Sequence, residues 1–250
     1  MLTSQISSPN LSLITPTGAR PECFALCQHW IKNQSLQPAE WIIVDDGIQP
    51  TEIRYDFFPS TEIKVIRPEK KWTLGDNSQK QNVLIGLEEC SGDKICIVED
   101  DDYYAPNYLE TLVAELTNPR YELQVVGELN SRYYNLKHRR YRLLKNSSFS
   151  PLCQTIFRRS VISTVQKVLA ERETKFDVYF WKELTVPRFL FPTTTLTVGM
   201  KGMPGRPGLG IGHNAEDPSW KQDTENLDHL FKWIGNDALK YLELYRGKSC

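Results

Sequence analysis

The chain has 250 residues, 40% of them hydrophobic and 24% charged, with a formal net charge of −1 at pH 7. These values describe a globular protein with enough apolar residues for one sizeable core or two small ones, and the near-zero charge excludes a global field that recruits nucleic acid or anionic membrane. No apolar run approaches the roughly 18 residues that a membrane span needs, and the opening MLTSQISSPN has neither a basic nor an apolar stretch, so neither a transmembrane helix nor a secretory signal is expected.

LSLIT at 11–15 predicts a short apolar strand closed by Pro16 and Gly18. Residues 22–33 place Phe24, Leu26, Cys27, Trp30 and Ile31 at helical spacing. WIIV at 41–44 is a buried-type strand that runs into Asp45, Asp46 and Gly47, and IKVI at 63–66 is another. A helix is predicted over 77–90 with Val83, Leu84 and Leu87 inward. KICIV at 94–98 is a strand that ends in Glu99, Asp100, Asp101 and Asp102, followed by a helix over 107–116 after Pro106. Strands alternating with helices predict a mostly parallel sheet flanked by helices, in which ligands sit at the carboxyl ends of the strands. The acidic clusters at 45–46 and 99–102 should therefore share a crevice.

The pattern changes near residue 120. A strand is predicted over 122–128, and RYYNLKHRRYRLLK at 132–145, alternating basic and aromatic residues, suits an exposed hairpin or edge strand. Residues 157–170 and 177–184 read as helices, a Gly- and Pro-rich segment runs from 200 to 213, and 219–246 reads as one or two amphipathic helices. With no internal repeat, the expectation is one domain over 1–250: a nucleotide-type half at 1–120 and a mixed half at 121–250. The six cysteines are scattered without a complete zinc spacing and read as reduced thiols, which points to the cytoplasm.

Four consecutive acids after an apolar strand repel one another unless a cation compensates them. Carboxylates at a strand end are hard oxygen ligands suited to Mg²⁺ or Mn²⁺, and such sites usually also hold phosphates. The plain alternative is a solvated acidic turn before the next helix.

Four segments together resemble the family-2 glycosyltransferases of GT-A fold: LITPTGARPECFALCQHWIKNQ, EWIIVDDG, NVLIGLEECSGDKICIVEDDDYYAPNYLE, and PLCQTIFRRSVI followed by KFDVYFWKEL. The resemblance covers most of the chain and implies a mixed acceptor-side half with C-terminal helices. It implies inverting transfer of a sugar from a nucleotide-diphosphate sugar, UDP-linked by default, to a hydroxyl of a glycan or small molecule. It implies that Asp101, with Glu99 or Asp100 beside it, holds the divalent metal, and that Asp177 is the general base. Thr15, Pro16, Thr17, Arg20, Asp45, Asp46, Lys80 and Asp100 would bind the donor. The Gly-rich segment would close over the diphosphate, with Arg206 or Lys201 on its oxygens and His213 as a third metal ligand.

The sequence departs from the family in three places. Glu99 stands where the first aspartate of the Asp-x-Asp motif belongs, Phe176 replaces an acid before Asp177, and Lys80 is the nearest cation to a missing arginine. Asp177 also reads as a helix N-cap, Asp45 and Asp46 as turn formers, and His213 as structural. Two competing functions follow: a DNA-modifying glycosyltransferase that holds DNA through 132–145, and an inactive GT-A-like domain that binds a nucleotide or glycan.

Overall fold

A computed structural model describes residues 6–7, 10–74, 78–193, 195–206 and 217–246. The described chain runs β1 (Ile6–Ser7), β2 (Leu11–Thr17), α1 (Pro21–Lys32), β3 (Leu36–Gln37), β4 (Glu40–Asp45), β5 (Glu62–Ile66), α2 (Gln79–Glu89), β6 (Lys94–Ile97), β7 (Tyr103–Tyr104) and α3 (Tyr108–Leu116). It continues through β8 (Val125–Glu128), β9 (Asn130–Asn135), β10 (Arg140–Lys145), β11 (Thr155–Arg158), α4 (Ile162–Glu171), α5 (Phe176–Glu183), β12 (Arg188–Phe191), β13 (Thr197–Lys201), β14 (Lys221–Gln222), α6 (Asp228–Ile234) and α7 (Ala238–Arg246).

The main sheet has seven strands in the order β12-β8-β11-β6-β2-β4-β5. Only β11 runs antiparallel to its neighbours. Apolar side chains on both faces of the central strands make this sheet a buried layer. Alternation sends Leu11, Leu13, Trp41, Ile43, Cys96 and Val98 to one face, against α1, α3, α6 and α7. Ile14, Ile42, Val44, Ile95 and Ile97 go to the other, against α2, α4 and α5. Each fully buried Leu, Ile or Val side chain contributes about 1.5–3 kcal/mol, so the two-faced packing of these short strands dominates the stability. Gly86 on α2 lets that helix approach β2, since a Cβ there would lie 2.4 Å from Ile14 Cγ2.

A second sheet, β14-β10-β9-β13-β7, packs beside the first. Here the hairpin expected at 132–145 forms, with its tip at 137–139 exposed, and the structure corrects only the placement of its first strand. β9 is an interior strand between β10 and β13. Tyr134 is fully buried and donates to Asp223 at 3.0 Å, Arg132 is buried, and Tyr141 stacks on His229. Tyr134 and Tyr141 pack on the core, while Tyr133 is half-buried and lines the cleft described below. A second correction concerns 157–170. Ile156 and Phe157 face opposite sides of the main sheet as part of β11, and α4 starts only at Ile162. The expected helical tail at 219–246 begins with β14, and Gly235, at φ 55°, separates α6 from α7. The five described cysteines, Cys23, Cys27, Cys90, Cys96 and Cys153, are free and buried.

Candidate active site at the strand ends

The carboxyl ends of β6, β2 and β4 lie side by side, because these strands are parallel neighbours. At their ends the chain places Glu99–Asp102, Thr17–Arg20 and Asp45–Gly47. The first two adjoin a cleft of about 590 Å³ that reaches from Pro16, Thr17 and Arg20 to Tyr133, Arg142 and Asp177, while the third stands behind it and meets its lining through Asn82 and Arg206.

Each acid of the run has its own partner. Asp100 accepts from Thr17 Oγ1 at 2.8 Å and lies 3.5 Å from Arg20 Nη1. Asp101 accepts from the same Arg20 nitrogen. Asp102 accepts from the Met200 backbone N–H at 2.9 Å and from Lys201 Nζ at 3.4 Å. Glu99 accepts from Gln79 Nε2 at 2.9 Å, with Lys201 Nζ 3.7 Å away. Burial pushes the Asp100 carboxyl up to about 6 despite the Arg20 charge, and pushes Asp102 well above the usual carboxylate range despite Lys201. Burial opposes the charges of Arg20 and Lys201, but the acids around them outweigh it and hold both cations protonated.

Four carboxylates thus face two cations, and hard oxygens with surplus negative charge fit a divalent ion of the Mg²⁺ or Mn²⁺ type. Glu99 and Asp102 come within 4.8 Å of each other through one oxygen each, together with the Cys153 sulfur. Cys153 offers a soft sulfur, poorly matched to such an ion, and burial raises its thiol well above the ordinary range.

The donor-side residues divide. Pro16, Thr17, Arg20 and Lys80 line the cleft. Thr15 is buried behind it and accepts from Trp41 Nε1 at 2.9 Å. Asp45 organises the loop after β4, accepting from Gly47 N at 2.9 Å, Thr51 N at 2.8 Å and Arg67 Nη1 at 2.6 Å. Asp46 accepts from Asn82 Nδ2 at 2.8 Å and Arg206 Nη1 at 2.9 Å. Arg206 also donates to Ser78 Oγ at 2.7 Å and lies over the Trp72 ring at 4.9 Å. Lys80 reaches across to Glu173 at 2.6 Å. Of the Gly-rich segment, 200–201 close β13, 202–206 pass along α1 and the Asp46 loop, and 207–213, with His213, lie outside the described residues.

Asp177 lies in the first turn of α5, not at its N-cap, and accepts the Leu152 backbone N–H at 2.9 Å. Burial pushes its carboxyl up to about 7, and the Glu99 charge adds to the rise. It opens onto the same cleft as the acid run. A carboxyl raised towards neutral pH and facing a cavity suits proton transfer to or from a bound hydroxyl. Sequence reasoning placed Asp102 in the run but gave it no role, and it missed Ser78, Gln79 and Asn82, polar residues on or just before α2 that no spacing rule singles out.

Residues 12–172 match the family described as Glycosyl transferase family 2. The chain belongs to glycosyl transferase family 2. Among curated relatives, the uncharacterized glycosyltransferase YwdF of Bacillus subtilis (strain 168) is 33% identical over 94 residues. That match takes in 37% of this chain and 33% of YwdF, so it reaches about a third of the relative's length. Among solved structures, S. aureus TarS is similar with a TM-score of 0.56 and 13% identity, over 76% of this chain and 36% of that one. The mannosyltransferase PcManGT from Pyrobaculum calidifontis, in complex with GDP-Man and Mn²⁺, gives 0.51 and 12%, over 81% and 59%. TarS 1–349 in complex with UDP-GlcNAc gives 0.51 and 14%, over 76% and 58%. These likenesses identify the architecture as the GT-A fold. Among the described residues no helix is long and apolar enough to cross a membrane.

Proposed function

We propose that this family-2 protein transfers a sugar from a nucleotide-diphosphate sugar to an acceptor hydroxyl, with Asp177 as the general base. One observation carries the reading: a carboxyl pushed up to about 7 opens onto the same cleft as a strand-end cluster of acids and cations. Thr17, Arg20, Asp46 and Arg206 would orient the donor, and Arg20 and Lys201 supply positive charge for the diphosphate oxygens. Glu99, Asp101 and Asp102 are the carboxylates that would hold a divalent metal, Mn²⁺ or Mg²⁺, with His213 as the further ligand that the sequence suggests. When bound, the metal supplies Lewis-acid neutralisation of the leaving diphosphate. Asp177 would take the acceptor proton as the hydroxyl attacks opposite the leaving group, which inverts the anomeric centre. UDP is the proposed nucleotide and a hexose the proposed sugar, supported by the UDP-GlcNAc complex of the similar TarS fold. Five buried free thiols support a reducing, cytoplasmic setting.

The test is Asp177→Asn. Transfer, or slow hydrolysis of the donor when no acceptor is supplied, should fall about 10²-fold or more while UDP affinity stays unchanged. An unchanged rate would remove Asp177 from the chemistry.

A further inference from the structure

The acceptor side of the cleft carries a cation that the transfer chemistry leaves unused. β9 and β10 pair antiparallel with Tyr133 opposite Arg142, and both residues line the cleft. Strand alternation sets the direction of the arginine. Tyr141 turns to the other face, where it stacks on His229 at 3.6 Å between ring centroids and meets Trp233 edge-on at 5.8 Å. Arg142 and Leu144 therefore face the cavity. Tyr133 has room because Gly199 lies beside it; a Cβ there would come within 2.5 Å of the ring.

The Arg142 side chain is only 15% exposed. Its Nη1 lies 3.5 Å from Asp217 Oδ2, while the other oxygen of that carboxylate already accepts from the Ser219 backbone and hydroxyl. Its Nε is buried and donates to no acceptor among the described residues. A guanidinium N–H removed from water without an acceptor is a standing cost that a ligand oxygen would relieve. The planar fork matches a phosphate or carboxylate in a way that a neutral hydroxyl does not. Leu144 and Phe149 supply an adjacent apolar wall.

We propose that Arg142 selects the acceptor: the molecule that receives the sugar carries an oxyanion, which docks on Arg142 while Tyr133 and Leu144 take an apolar face. This rests on the transfer reading above, since it places the acceptor on the Asp177 side of the cleft. Arg142 takes no part in proton or sugar transfer.

Calorimetric titration with three small probes tests this: glycerol 3-phosphate, glucuronate and neutral glucose. Each is titrated into the wild type, Arg142→Gln and Arg142→Lys, with UDP saturating so that the donor-side cations are covered, and again without UDP. In the wild type at least one anion should bind ten-fold or more tighter than glucose. Arg142→Gln should erase that preference and Arg142→Lys should restore it in part; which anion wins identifies the oxyanion. Equal binding of glucose and both anions by the wild type, or an undiminished preference in Arg142→Gln, overturns the proposal. A UDP-induced rise in melting temperature kept by Arg142→Gln shows that the variant is folded. Absence of that rise in the wild type counts against the transfer reading, while the anion preference without UDP still decides this one.

Discussion

A methyl group added at Gly18 would sit 2.1 Å from Asp46 Oδ1 and 2.6 Å from the Gly47 nitrogen. Gly18 also has φ 147°, a conformation that side-chain-bearing residues rarely adopt. Holding such a residue there costs about 1–3 kcal/mol, and the clash adds to it by forcing Asp46 away from Asn82 and Arg206. Gly18→Ala should therefore lower stability in urea and weaken UDP binding together, whereas a loss of stability alone would detach Asp46 from the donor. Asp177 gives a second expectation, in pH. The base must be ionised to accept a proton, so transfer should climb about tenfold per unit below pH 7 and level off above it. Glu99 is the charge that acts on it, and Asp177 in turn helps raise the Tyr133 hydroxyl and the Cys153 thiol; Lys175 and Glu173 also stand on the cleft wall. A flat profile between pH 5 and 8 would contradict the assignment. The candidate acids were legible as a run, but not their division of labour. One-dimensional spacing does not tell that Asp45 turns into its own loop, that Thr15 faces Trp41, or that Arg20 returns to Asp101 from 81 residues away.

The helix α2 shows how local preference and packing conflict. Alanine is a better helix former than glycine by about 1 kcal/mol, yet an added Cβ at Gly86 would stand 2.4 Å from Ile14 Cγ2 in the middle of the sheet. Overpacking a filled core costs about 1–3 kcal/mol. Gly86→Ala should therefore lower the urea midpoint instead of raising it; a gain in stability would mean that the helix can shift off β2. Most of the alternating first half was legible, because apolar runs such as WIIV and KICI bury both faces of a parallel strand and end at turn residues. β11 was not. Ile156 and Phe157 adjoin the helical periodicity of α4, and only the pairing with β6 and β8 makes them a strand. The hairpin at 132–145 was legible in its alternation, but not that β9 would be paired on both edges, because its second partner, β13, comes from far later in the chain.

Taken whole, the molecule gathers four acids against two buried cations at one end of its sheet, and that imbalance should make its stability depend on divalent ions. A ligand that binds only the folded state stabilises it by about 2.7 kcal/mol at a hundredfold excess over its Kd, which for a chain of this size is a rise of roughly 5–10 °C in melting temperature. UDP with Mn²⁺ should produce such a rise, EDTA should remove the metal-dependent part, and Asp101→Ala should lack it. A rise equal with and without metal would exclude the divalent site.

The buried thiols have a consequence of another kind. Burial holds Cys23 and Cys153 protonated and pushes Cys96 up to about 12, so an alkylating reagent reacts only when the surrounding structure opens. Their positions sample different depths: Cys23 and Cys27 on α1, Cys90 at the end of α2, Cys96 inside the sheet and Cys153 on the cleft wall. Cys23 Sγ lies 3.9 Å from the Pro204 carbonyl, where the segment carrying Arg206 rests on α1. The protein thus carries its own chemical clocks. The labelling rate at Cys23 times the parting of that segment from α1, Cys153 times the opening of the cleft wall, and Cys96 times the parting of the sheet itself.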